Sequence, residues 1–390
     1  MGRISKNDLI LKYQKEFFSH FKTKKFVTSI APGRINIIGE HTDYNLGLAM
    51  PIAIDRWICS IVSIREDDDV YIYSYNFNEK VHLKINNLDD EGINWKKYVF
   101  GCIKTFIDNY NITRGLNIFI GGNVPIGFGV SSSAALEVSL LSAFTKAFNQ
   151  PIDNHKILEL SNHVEQNYLG IKSGLLDQYA SIFSKKNKPL LIDFSTLSHI
   201  YVDSQIKGSE WILVNSMVDR SLVNSKYNER VNECQMALKY INDTYNVKIS
   251  INELQDEHLK ELGKLNDQTP YKRILHLLSE NKRVKLMHQA LNQGDLNLVG
   301  NILNDSHDSL ADNYEVSCKE INSIINISRQ QKGFYGGRIM GGGFGGCCLC
   351  LVKNSKKELF IDNLIDIFYR DYKYEIKIET VAFSNGLELV

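Results

Sequence analysis

Residues 31–51 read Ala-Pro-Gly-Arg-Ile-Asn-Ile-Ile-Gly-Glu-His-Thr-Asp-Tyr-Asn-Leu-Gly-Leu-Ala-Met-Pro. An apolar, strand-like run enters this stretch and meets Glu40, His41 and Asp43 within four positions. Gly39 stands directly before them and Gly47 four residues after the last. A hydrophobic core has no use for two carboxyls and an imidazole here, because each is costly to bury without a partner. A site that grips several hydroxyl groups does. The chain is thus constrained to a fold in which a strand delivers a polar, glycine-flanked turn to a ligand.

A second constraint lies at 121–137, Gly-Gly-Asn-Val-Pro-Ile-Gly-Phe-Gly-Val-Ser-Ser-Ser-Ala-Ala-Leu-Glu. The short strand Leu116–Ile120 leads into a glycine-rich loop, and a serine cluster opens a helical pattern. Backbone N–H groups at a helix N-terminus are unpaired and favour an anion. Gly127 and Gly129 let the backbone approach a phosphate closely, and the serine hydroxyls supply donors or a ligand for Mg2+. A helix N-cap accounts for one serine, not for three with two glycines. No Lys follows the glycines, so this is not a Walker loop. A third glycine-rich segment, Gly336–Cys347, contains G-x-G-x-x-G through Gly341, Gly343 and Gly346. A dinucleotide fingerprint opens a helix. Here Cys347–Val352 reads as a strand, which excludes nicotinamide binding and leaves close backbone packing. The spacing of Cys347, Cys348 and Cys350 reads as core, since no second cysteine pair or histidine lies nearby.

The chain of 390 residues is long enough for two domains. Lys plus Arg equals Asp plus Glu at 45 each, so no basic field points to nucleic acid. No apolar run approaches the roughly 18–20 residues of a membrane span, and Met1–Lys24 lacks the apolar centre of a signal peptide. Cytoplasm is the expected location and no membrane partner is expected. Helical periodicity covers Lys6–Phe21, with Ser5 as N-cap, and Trp95–Tyr110. Strands are expected at Phe26–Ile30, Trp57–Ile64, Val70–Tyr75, Lys80–Ile85, Leu190–Phe194 and Trp211–Val214. Helical segments are also expected at about Ala134–Phe148, Asn154–Tyr168 and Leu175–Phe183, with the two carboxylates of Glu165–Gln178 in this helical region, and 227–330 reads as mostly helical. Strand and helix alternate without regular winding, which gives an α+β class with mixed sheets packed against helices. No linker marks a boundary. The expected division is 1–190 for an N-terminal domain holding the first two motifs and 191–390 for a C-terminal domain holding the third. The sequence gives no signal of oligomeric state, and a monomer is compatible with it.

The first motif closely resembles the sugar-binding signature of galactokinases, members of the GHMP kinase superfamily with homoserine, mevalonate and phosphomevalonate kinases. The second is similar to the superfamily's phosphate loop, with Val130 in place of a usual Leu, and the third to a loop that packs beneath the site. Further similar blocks contain Arg273, His276, Glu280 and Arg283, then Ser306–Leu310 and Tyr314–Cys318. The resemblance implies a two-domain kinase with its active site between the domains, using ATP and Mg2+ to phosphorylate the anomeric hydroxyl of galactose. It implies Asp177 and Arg34 as catalytic residues, with Arg34 between Asp177 and the transferring phosphoryl group. Sugar contacts would be Glu40, His41, Asp43, Gly174 and Tyr227. ATP would meet Gly127, Gly129, Ser131, Ser132, Ser133 and Ala134, and Mg2+ would meet Ser133 and Glu165. Trp95 and Tyr98 match aromatics near the nucleotide base, with core packing an equal explanation. Met217 stands where Asn is usual and Arg220 where His is common, both beside the site. Related alternatives are a kinase for N-acetylgalactosamine or arabinose and a sensor that binds sugar and ATP without turnover. The intact Ser133-Ala134 pair speaks against the sensor.

Overall fold

The computed structural model of the protein describes residues 4–88, 94–218 and 223–390. In chain order the strands are β1 (Val27–Asn36), β2 (Leu48–Ala49), β3 (Pro51–Ile64), β4 (Asp69–Ser74), β5 (Glu79–Lys84), β6 (Leu116–Gly122), β7 (Leu190–Asp193), β8 (Ser198–Tyr201), β9 (Ser209–Asn215), β10 (Phe334–Met340), β11 (Cys347–Lys353), β12 (Lys377–Thr380) and β13 (Glu388–Leu389). The helices are α1 (Lys6–Phe21), α2 (Trp95–Tyr110), α3 (Ser132–Ala147), α4 (Asn154–His163), α5 (Leu176–Phe183), α6 (Val223–Tyr245), α7 (Asp256–Leu262), α8 (Thr269–Gln293), α9 (Leu296–Asp312), α10 (Lys319–Arg329) and α11 (Lys357–Tyr372).

A six-stranded sheet has the order β13-β1-β3-β6-β4-β5. Its pairs are antiparallel except β4 with β6, which run parallel. Between them the chain makes the β4–β5 hairpin and passes through α2, the kind of long crossover a parallel pair needs. Helix α1 packs Leu9, Tyr13 and Phe17 with Trp57 and Phe119 of the sheet. A second apolar cluster joins α2, α3, α4 and α5 to sheet residues such as Val62 and Ile118. Every residue from Ala134 to Thr145 of α3 is buried. A helix without a polar stripe can be stable only when enclosed on all sides.

The second sheet, β10-β11-β9-β12, is antiparallel throughout. Its strand β11 serves two cores by simple alternation. Cys348, Cys350 and Val352 enter a cluster with Ile241, Ile274 and Phe360. Cys347, Leu349 and Leu351 enter another with Ile35, Ile52 and Leu303. That last cluster contains residues from both ends of the chain and from the loop after β6, so it seats the loop. A small sheet, β2-β7-β8, lies next to the first motif.

Two departures from the sequence reading matter for the site. β3 begins at Pro51, six residues before the run of aromatic and β-branched residues that marks it, and pairs with β1 through Ile35 and Asn36. The helix expected over Asn154–Tyr168 is α-helical only in its first part, whereas the one expected over Leu175–Phe183 is found almost as read. α4 ends at His163, Val164–Tyr168 forms a π-helical turn, and α5 starts at Leu176. Gly170, at φ 68°, turns the chain between them. Among the described residues no helix is long and apolar enough to cross a membrane.

Candidate active site

The site starts from an irregularity in β1. Pro32 lacks an N–H, and the β1–β3 register shifts between Pro32 and Arg34. Released from the sheet, the Arg34 N–H donates to Val130 O of the loop after β6 at 3.0 Å. A Cβ on Gly33 would sit 2.6 Å from that same carbonyl, so only glycine permits the approach. Val124, Phe128 and Val130 anchor the loop in the shared core. Gly127, Gly129 and Ser131 all take positive φ, at 83°, 65° and 60°. Ser131 occupies the N-cap position of α3, but its hydroxyl does not cap the helix. It donates to Asp177 Oδ2. The first turn of α3 therefore keeps its N–H groups for a ligand, which suits an anion.

Arg34 and Asp177 stand where the motifs meet. Arg34 Nε donates to Asp177 Oδ1 at 2.8 Å, its Nη2 lies 2.6 Å from the same oxygen, and its Nη1 donates to Gly129 O at 2.7 Å. The guanidinium thus ties the carboxylate of α5 to the backbone of the loop. The Arg34 side chain is 6% exposed and that of Asp177 33%, so the carboxylate faces open space while its partner is enclosed.

Around them lies an open cleft of about 430 Å³. Of the residues expected from sequence, Arg34, Glu40, His41, Asp43, Gly174, Asp177 and Tyr227 line it. So do Gly127, Gly129, Ser131, Ser132, Ser133 and Glu165. Ala134 does not; it is fully buried behind the loop. Tyr98 reaches the cleft, whereas Trp95 stacks on Phe77 at 5.9 Å. Met217 is exposed at φ 59° and is not among the lining residues. Its neighbour Asn215 accepts the Met217 N–H and donates to Gly127 O at 3.3 Å. Arg220, Ser221 and Leu222 lie outside the described residues.

The acidic turn is held from below. Glu40 accepts from Gly341 N–H on one oxygen and from Asn36 Nδ2 on the other, with Arg338 Nη2 at 3.3 Å. The third glycine-rich segment therefore touches the sugar-type motif directly. Arg338 is fully buried and also donates to Ile37 O and Ile339 O at 3.0 and 2.8 Å. From α8, Glu280 accepts the N–H groups of Gly39 and Glu40, and His276 Nε2 lies 3.1 Å from Glu40 O. Gly174 packs so tightly on Asp43 that a side chain there would enter its carboxyl group.

The sequence matches the profile of the GHMP kinases N terminal domain over residues 97–185 and the GHMP kinases C terminal profile over 287–370. It matches the galactokinase galactose-binding signature over 15–64, which spans the acidic turn. A galactokinase of Lactobacillus helveticus is 37% identical, with 99% of this chain and 100% of that one aligned. One of Clostridium beijerinckii is 35% identical over 91% and 92%. The chain belongs to the galactokinase family. The Lactococcus lactis galactokinase complexed with galactose superimposes with a TM-score of 0.91 at 31% identity, covering 97% of this chain and 99% of that one. The Methanococcus jannaschii mevalonate kinase, at 18% identity and a TM-score of 0.67 over 93% and 99%, shares the fold.

In this galactokinase-family chain the cleft is crowded with acids, and their environment shows it. Burial, with the Asp177 charge beside it, pushes Asp43 up to about 7 against the pull of backbone N–H groups. Burial also raises Glu165 to about 7, although Ser173 donates to its Oε2. Behind them Glu137 of α3 is fully buried, is held well above the carboxylate range by burial and by Glu165, and accepts from Gln178 Nε2 at 3.2 Å. Burial pulls His41 down to about 3, so its ring is neutral. Ser173 and the Glu137–Gln178 pair are contacts that sequence spacing misses. Ser173 meets Glu165 eight residues away, across a loop rather than along a helix.

Proposed function

We propose that this protein is a galactokinase, transferring the γ-phosphoryl group of ATP to the anomeric hydroxyl of α-D-galactose to give ADP and α-D-galactose 1-phosphate. The carrying observation is the Ser131–Asp177–Arg34–Gly129 linkage, which joins a glycine-rich anion loop to the residue facing the acidic turn. Glu40, His41, Asp43, Gly174 and Tyr227 would hold the sugar hydroxyls. Gly127, Gly129 and Ser131–Ser133 would hold the phosphates, with Ala134 supporting the helix start.

Phosphoryl transfer has a loose transition state, so positioning and charge neutralisation carry most of the catalysis. The O1–P bond forms as the bond from γ-phosphorus to the bridging oxygen breaks. Asp177 takes the O1 proton, and its two oxygens, each already accepting one hydrogen bond, keep lone pairs for that hydroxyl. Arg34 neutralises charge on the transferring group while holding Asp177 in place.

A divalent cation fits the residues present. Among the described residues no three His, Cys, Asp or Glu side chains form a cage. Mg2+ characteristically uses one or two protein carboxylates, phosphate oxygens and water instead. Glu165 is raised by burial and by neighbouring acids, which marks a place short of positive charge. Glu165 and the Ser133 hydroxyl would hold Mg2+, which would supply neutralisation of the phosphate charge. We take the enzyme to work in the cytoplasm, where sugar and ATP are its small-molecule partners.

The test is ADP release from Mg·ATP against galactose, glucose, N-acetylgalactosamine, arabinose and no sugar. Release with galactose well above the rest is expected. Release only with another sugar overturns the substrate, and none with any sugar, while ATP and galactose bind, overturns the kinase.

A further inference from the structure

The His41 imidazole begins a hydrogen-bonded line that leads away from the cleft into the core. Its Nδ1 lies 2.8 Å from Tyr44 Oη, Tyr44 Oη lies 2.8 Å from Tyr314 Oη, and Tyr314 Oη lies 3.2 Å from Cys234 Sγ. Tyr314 and Cys234 are fully buried, on the loop after α9 and on α6. His41 lines the cleft, and its other ring nitrogen, Nε2, is buried without a hydrogen-bond partner among the described residues. The ring is not free to turn. His41 sits at φ 63°, its carbonyl accepts from Asn45 Nδ2 at 2.8 Å, and the Tyr314 ring packs 4.8 Å from it.

Counting hydrogens gives the line a direction. It has three links and three hydroxyl or thiol hydrogens, one each on Cys234, Tyr314 and Tyr44. If Cys234 donates to Tyr314, Tyr314 to Tyr44 and Tyr44 to Nδ1, every hydrogen lies on a link and the line ends on a good nitrogen acceptor. The reverse direction puts the histidine proton on Nδ1, ends on sulfur, a weak acceptor, and leaves the thiol hydrogen outside the line. Burial pushes the Cys234 thiol up to about 12, so that hydrogen is present at neutral pH.

We propose that Tyr44 and Tyr314, backed by the Cys234 thiol, are positioning residues that hold His41 as its Nε2–H tautomer and thereby present a hydrogen-bond donor to an oxygen of the bound sugar. The sugar half of this inference rests on the proposed galactokinase function. The polarity is complementary to the rest of the turn. Glu40 and Asp43 accept hydrogens from hydroxyls, and His41 supplies one to a hydroxyl lone pair. A tautomer is set by the bond on the other ring nitrogen, so the two tyrosines act on the sugar without touching it.

The test uses the full-length protein labelled with ¹⁵N-histidine. Long-range ¹H–¹⁵N spectra distinguish the two tautomers, and a His41→Asn sample assigns the signal. Without sugar, the wild type should show a protonated Nε2 and a bare Nδ1. Tyr44→Phe should lose that uniform state and raise the galactose KM about tenfold, with the ATP KM unchanged. Tyr314→Phe should act in the same direction but less. A wild-type Nδ1–H tautomer overturns the proposal, as does a folded Tyr44→Phe protein with unchanged tautomer and galactose KM. Absence of galactose-dependent ADP release from the wild type would instead overturn the proposed function, while the sugar-free spectrum still decides the tautomer.

Discussion

Adding one methyl group at Gly174 should break galactose use while leaving ATP use nearly intact. A Cβ at this position falls 2.9 Å from Tyr44 N and deeper still into the Asp43 carboxyl group. Ordinary carbon contacts begin near about 3.5 Å, so the loop or Asp43 must move by about 1 Å. Asp43 has little freedom, because the Leu176 N–H donates to its Oδ2 at 3.4 Å and the turn is fixed through Glu40 and Glu280. Misplacement of about 1 Å costs on the order of 100-fold in rate, or about 2.7 kcal/mol of transition-state stabilisation. Overpacking adds a folding cost of roughly 1–3 kcal/mol. Steady-state kinetics of Gly174→Ala should therefore show galactose kcat/KM down about 100-fold and the ATP KM within about threefold. Thermal melting should show a lower Tm. In the Gly174→Ala/Asp43→Ala double variant the overlap with the carboxyl group is relieved and only the closer approach to Tyr44 N remains, so its Tm should return toward that of Asp43→Ala alone. A folded Gly174→Ala enzyme within about threefold of wild-type galactose kcat/KM would refute the reasoning.

Four further outcomes follow from other contacts. Asp177→Asn should lower kcat by about 10²–10⁴, with ATP binding by calorimetry nearly unchanged, and a kcat within tenfold would rule out an essential base. Glu137 keeps its proton in the folded chain, whereas an unfolded Glu ionises above about 4.3, so this group costs the wild type stability as pH rises, a cost the isosteric Glu137→Gln lacks. Melting across pH 5–8 should show the variant gaining on wild type by up to about 1.4 kcal/mol per unit, and a pH-independent difference would count against a buried neutral acid. Arg338→Met removes the cation beside the Glu40 carboxylate and a donor from three backbone carbonyls, which should cost about 3–5 kcal/mol in urea unfolding, and a loss below about 1 would show the network is not needed. Met217 pays for a left-handed backbone that Asn tolerates, so Met217→Asn should stabilise by about 0.5–1 kcal/mol, and a lowered Tm would contradict that account.

What the sequence reveals depends on how far apart the interacting residues lie. Helices α1 and α2 are legible to the residue, because an apolar period and local end signals such as Ser5 act within a few positions. The glycine-rich loop is legible because its chemistry is compositional. Strands β2 and β13, two residues each, carry too little pattern to read, and β8 exists only through its pairing with β7. Ser131 looks like an ordinary helix cap until the fold brings Asp177, forty-six positions on, to its hydroxyl. The break between Glu165 and Asp177 is legible where the helical period stops near Tyr168 and resumes near Leu175, but the π-helical turn that ends the first helix is not. Tyr44 and Tyr314, 270 positions apart, share no local signal at all.

The return of the chain to its first sheet bears on how the protein is made. β13 pairs Glu388 and Leu389 with Ile30 and Ser29, and Ser384 N–H donates to Ala53 O. While the ribosome is still extending the polypeptide, the outer border of β1 has no neighbour until residue 389 has emerged. A nascent chain that has not yet reached β13 thus carries an unpaired strand margin, the condition under which strands from neighbouring chains associate. The Lys6–Glu388 ion pair, with N···O at 2.5 Å, then fastens β13 to helix α1. The sheet that carries Arg34 is therefore completed only after its five other strands have been made.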